Sequence, residues 1–199
     1  MATSPNAAEG RAPSYLVDPA RSRFEVRASA TGLLSAFAHS PTIVIRNFTG
    51  EAWFRPESPE LSSLRLAIDT ASLTVTGDVN DKDRREMEST MREEVLETNR
   101  YREIRFESTG MRATKIADGM YRMQMAGKLS LHGVERTVDI PCTVVADGHL
   151  LRANGDFSIR QTDYRIRLVS AAGGTIKLKD ELKFRFDIVA EQRSGSDDA

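Results

Sequence analysis

The sequence predicts an all-β chain: an antiparallel sheet of seven or eight strands, folded as a sandwich or closed into a barrel, with one amphipathic helix. Three observations predict it. Apolar and polar residues alternate with a period of two along most of the chain. Asp-Gly turns join consecutive alternating runs. One segment alone carries a helical period. The composition fits a globular domain: of 199 residues, 40% are apolar and 29% charged. The 28 basic and 29 acidic residues nearly cancel, leaving a net charge of -1. A nucleic-acid partner would demand a basic excess, so none is expected. An integral membrane helix is excluded too, because no apolar run approaches the ~18 residues it needs.

Taken in order, residues 1–14 are rich in Ala, Gly, Pro and Ser, and residues 192–199 are polar and acidic. Both read as disordered tails around one domain at 15–191. The opening lacks a basic start followed by an apolar core, so the chain reads as cytoplasmic as written, or periplasmic if a signal has been removed. Phe24, Val26 and Ala28 then alternate with Arg23, Glu25 and Arg27. Gly32 to Ala38 reads as a single helical turn. Leu64, Leu66 and Ile68 form the next alternating run, and Lys82 to Thr98 is the helix. Met87, Met91 and Val95 recur at i, i+4 and i+8, with Asp81 as the expected N-cap. These methionines suit packing over a lipid-like ligand and ordinary core packing alike. Four further runs follow: Tyr121 to Leu131, Val138 to Val144, Leu151 to Ile159 and Leu182 to Ile188. Asp118-Gly119 and Asp147-Gly148 mark hairpins, and Ala171 to Gly174 breaks the chain before the last strand.

Common chemistries leave no trace. The sequence contains no Walker loop, no G-x-G-x-x-G, no G-x-S-x-G, no H-E-x-x-H and no C-x-x-C, and no cofactor or metal is expected. The single cysteine, Cys142, shares the apolar side of its strand and reads as an inert buried thiol. Pro141 beside it suggests a sheet edge or a bulge. His149 falls on a hairpin tip. His39 and His132 are the candidates for contacts to a ligand head group at a cavity mouth, against the plainer role of bonding a nearby carbonyl. The carboxylates of the helix, interleaved with Arg and Lys, read as a solvated face. The apolar side of the strands carries Phe24, Val26, Leu66, Phe106, Met123, Met125, Leu129, Phe157, Phe184 and Phe186. A closed eight-stranded sheet is either filled by such side chains or holds one small ligand. Periodicity leaves these two outcomes open.

Several motifs, in order, resemble the YceI-like family of lipocalin-shaped proteins. They are Asp18-x-x-x-Ser22 before the first alternating run, Phe48-Thr49-Gly50, and Tyr101 to Ser108 (YREIRFES) after the charged helix. Gly127 to Val134 (GKLSLHGV) is similar to the family's G-x-L-x-x-H-G-V, and Gly155 to Ile159 with Thr162-Asp163-Tyr164 resembles its late strand and bend. Arg102 stands where the family has Pro, and Arg165 where it commonly has Gly. The resemblance implies an extended eight-stranded antiparallel lipocalin-like barrel around a long apolar cavity. It also implies a non-enzymatic protein that binds, stores or transports an isoprenoid, an isoprenoid quinone or another amphipathic lipid. The ten apolar residues above would then be the cavity wall, and a homodimer is left open. Two rivals stand beside this reading: an enzyme on an amphipathic substrate with His39 or His132 as general base, and a solidly packed interaction barrel whose exposed helix meets a partner.

Overall fold

The computed structural model describes residues 13–31, 41–171 and 176–193. It contains strands β1 (Ser14–Val17), β2 (Arg23–Thr31), β3 (Thr42–Ile45), β4 (Phe48–Trp53), β5 (Ser63–Asp69) and β6 (Leu73–Thr76). Helix α1 (Asp81–Thr90) follows. After it come β7 (Glu103–Ala117), β8 (Met120–Leu131), β9 (Val134–Asp147), β10 (Leu150–Arg160), the short β11 (Ser170–Ala171) and β12 (Ile176–Gln192). Neighbours pair antiparallel in the order β1-β4-β5-β7-β8-β9-β10-β12, and β1 pairs back onto β12, so eight strands close a ring. The sheet reaches Ser14 and Gln192, each one residue beyond the expected domain. The remainder of both expected tails lies outside the described residues apart from Pro13 and Arg193, as do Gly32 to Ala38 and His39.

Two halves of the ring are built differently. From β7 onward the barrel strands are continuous, 11 to 17 residues long. The β8 burial alternates residue by residue, with Tyr121, Met123, Met125, Leu129 and Leu131 inward. In the other half three strands are each broken once. β1 and β2 run in succession along β12, β4 and β3 lie beside them, and β5 and β6 complete the set. Every break is tied by side-chain hydrogen bonds. Asp18 caps the 3-10 turn Pro19–Arg21 by accepting from Ala20 N at 2.9 Å, and Ser22 Oγ accepts from Val189 N at 2.9 Å, so the first break is fastened to β12. At the other two, Asn47 N donates to Ser72 Oγ at 3.0 Å and the Asn47 side-chain amide donates to Asp69 Oδ2 at 3.4 Å. The short polar side chains stand in for ladder partners that a bend removes.

The helix begins one residue before the expected start. Asn80, not Asp81, is the N-cap: its side chain accepts from Asp83 N at 3.0 Å. Asp81 and Asp83 sit in the first turn, where the helix dipole favours them. The expected end at Thr98 also shifts. After Thr90 the chain widens into a π turn, Met91–Val95, in which Leu96 N bonds Met91 O, and Glu97 then adopts φ 44° and ends the helix. Helix α1 covers the otherwise unpaired edge of β6, where Val75 N donates to Glu88 Oε1 at 2.9 Å. The expected solvated carboxylate face is therefore corrected for Glu88. It is largely buried and docks the helix on the sheet, with Arg92 as its ion partner at 3.1 Å.

Pro141 takes its place within β9, opposite Gln124 of β8. Pairing of β9 to β10 stops at Thr143 and Asn154, so Pro141 lies just past the point where the two strands part.

Candidate functional site: an apolar cavity beside the helix

The inward faces of the ring enclose a cavity of about 850 Å³, near the upper end for small-molecule sites. One wall is aromatic. Phe157 of β10 stacks on Phe184 of β12 at 4.7 Å between ring centres, and Phe24 of β2 meets Phe184 and Phe186 edge-on, each at 6.2 Å. Val26 extends this wall. The facing wall carries Leu66 of β5, Phe106 of β7, and Met123, Met125 and Leu129 of β8. The ten residues read from the sequence as inward therefore all line one cavity. Phe157 and Phe184 are only half-buried although they point inward, because beyond their ring neighbours they border the open cavity.

At the end away from the helix, Phe54 and Tyr121 pack edge-to-face at 5.4 Å, and the Tyr121 hydroxyl donates to Pro56 O at 3.2 Å. At the opposite end the helix lies across the rim. Met87, Met91 and Val95 all line the cavity, and Met91 is also buried in the core. Among the described lining residues, those that are also solvent-exposed are Asp83, Glu86, Met87 and Glu94. All four belong to α1 or its π turn, so the mouth is there. Cys142 lines the interior as well, and burial pushes its thiol up to about 11. It is therefore protonated and inert at neutral pH.

His132 does not border the cavity. Its Nδ1 lies 3.2 Å from Tyr164 O and its Nε2 lies 3.2 Å from Glu97 Oε1, with the Tyr101 ring 4.4 Å away. Both partners only accept, so both bonds are made when both ring nitrogens carry protons. His132 ties the end of the helix to the bend after β10. It occupies the β8–β9 turn: His132 and Gly133 have φ of 50° and 72°, the primed turn that matches strand twist. His149 is exposed, as the hairpin position suggests, and its Nδ1 lies 3.0 Å from Gln192 Oε1.

The glycines of the motifs are places where another group occupies the Cβ position. A methyl on Gly127 would lie 2.3 Å from the Phe106 ring, and one on Gly133 would lie 2.6 Å from the Tyr101 ring. Arg165 takes φ 58°, a left-handed conformation that glycine adopts at no cost. The carboxylates at the mouth were missed by sequence reasoning. Their signal was present as an acidic line at 83, 86 and 94 flanking the Met87-Met91-Val95 stripe, but a charged helix is ordinarily a solvated one.

A closed antiparallel barrel with an internal apolar cavity and a helix at its mouth is a lipocalin-like architecture. The YceI-like domain profile matches residues 15–190, and the chain belongs to that family. No curated protein sequence matches it. Among solved structures, the fold is similar to Burkholderia cenocepacia BcnA, with 20% identity and a TM-score of 0.65 over 87% of this chain and 98% of that one. It is also similar to a polyisoprenoid binding domain from Saccharophagus degradans implicated in plant cell wall breakdown, with 14% identity and a TM-score of 0.63 over 91% and 99%. The Campylobacter jejuni YCEI protein matches at 17% identity and a TM-score of 0.58 over 76% and 85%. Among the described residues no helix is long and apolar enough to cross a membrane.

Proposed function

We propose that this protein is a non-enzymatic carrier that binds, stores or transports an isoprenoid, an isoprenoid quinone or another long amphipathic lipid. The observation that carries this reading is the cavity of about 850 Å³ with ten inward apolar residues on facing walls. A flexible apolar chain laid along those walls leaves water at roughly 25 cal/mol per Å², less the cost of ordering it. Membership of the YceI-like family and the polyisoprenoid-binding neighbour support the same reading. The tail lies against Phe24, Val26, Leu66, Phe106, Met123, Met125, Leu129, Phe157, Phe184 and Phe186. The head group stays at the helix rim. The solid-core alternative does not fit a barrel this hollow. The enzyme alternative loses His132, whose two nitrogens are engaged outside the cavity.

Native mass spectrometry and solvent extraction of freshly purified protein test the proposal, together with titration by an environment-sensitive apolar fluorophore. The wild-type protein takes up the fluorophore, and Ala153→Trp, which adds bulk to the cavity wall, weakens uptake by about tenfold or more. A protein that yields no lipid and accepts no offered amphiphile ends the carrier reading.

A further inference from the structure

We infer that the cavity selects amphiphiles with a cationic head group, such as a primary or quaternary amine on a long apolar tail, and disfavours phosphate, diphosphate or carboxylate ends. This rests on the carrier reading and names the head-group class for the same site. The cavity lining contains three charged residues, Asp83, Glu86 and Glu94, and no Lys or Arg among the described residues. All three are carboxylates, and all three stand at the rim where lining residues reach solvent.

The placement is specific. The basic residues of the same helix, Lys82, Arg84, Arg85 and Arg92, do not line the cavity. Arg84 is turned to Asp81 at 3.0 Å and Val79 O at 3.0 Å, and Arg92 to Glu88 at 3.1 Å. Asp83 meets the neutral Asn80 amide at 2.8 Å, while Glu86 and Glu94 form no ion pair among the described residues. A tail in the barrel therefore leaves its head beside two carboxylates with uncompensated charge. An ammonium gains from that field, and a phosphate must approach it against repulsion. The rim is wet, so the effect is modest and salt-dependent.

Three amphiphiles with one tail separate charge from hydrophobicity: dodecylammonium, dodecanol and dodecyl phosphate, each below its micelle threshold. Displacement of a bound fluorophore at low salt ranks the amine above the alcohol and the alcohol above the phosphate. Amine and phosphate differ by about tenfold or more. Glu86→Gln/Glu94→Gln collapses that ratio toward one, as does 0.5 M salt. Glu57→Gln/Glu60→Gln removes the same charge from exposed sites near the opposite end and keeps the ratio. Phosphate binding as tightly as amine in the wild type overturns the inference while leaving the carrier standing, and so does a ratio that survives Glu86→Gln/Glu94→Gln. No displacement by any of the three overturns both.

Discussion

The joints of the barrel and its inner wall are both apolar, yet only the wall borders open space. Phe48, Thr70 and Tyr164 are the largest fully buried side chains, and none of them lines the cavity. Each sits where a strand bends or ends: Phe48 and Thr70 beside the breaks in the β3–β4 and β5–β6 strands, and Tyr164 in the bend after β10. Along the wall most side chains are buried too, but Leu66, Phe157 and Phe184 stay half-buried around open space. The corners of the sheet are packed solid, and the middle of the barrel keeps an open cavity.

The largest effect that tests this contrast is Phe48→Ala. It removes a packed ring with neighbours on all sides, and denaturant unfolding should show a loss of about 3–5 kcal/mol. Met123→Ala should cost less, about 2 kcal/mol or below. That side chain borders the cavity, so the space it vacates joins one already present. The same variant should change affinity for an apolar fluorophore, which Phe48→Ala in the folded state should not. Equal stability losses for the two would erase the contrast.

His132→Ala sharpens it from the side of the latch. Removing the links to Glu97 and Tyr164 should cost about 1–2 kcal/mol in unfolding, with fluorophore affinity unchanged, because His132 lies outside the cavity. Altered affinity would place the latch in control of the mouth. The smallest effect is expected at Tyr164→Phe. The Tyr164 hydroxyl is buried with no hydrogen-bond partner among the described residues, and burial raises its pKa. Deleting it should leave stability unchanged or raise it by up to about 1 kcal/mol in the same unfolding assay. A clear loss would show that the hydroxyl is bonded.

The continuous half of the ring was legible because its signal is local. In β8, β10 and β12 each residue's side follows from its neighbour's, so Met123, Phe157 and Phe186 could be assigned inward from alternation alone. The broken half was not. Strands of four residues such as β1, β3 and β6 are too short to establish a period, and their bends depend on bonds to residues far along the chain, such as Ser22 to Val189. His132 misled for a related reason. Its place at a turn was visible, but its partners Glu97 and Tyr164 are more than 30 residues away on either side.

By itself the sequence determined which side of each long strand is apolar, where the hairpins fall and where the amphipathic helix lies, since these depend on residues a few positions apart. The tertiary structure decided that the apolar sides stand apart instead of meeting. It also decided that the ring closes through β1 and β12, and that Asp83, Glu86 and Glu94 rim the opening of the cavity. Those outcomes depend on how many strands join and how far across the ring facing walls lie, and no local pattern encodes a distance between segments that meet only on folding.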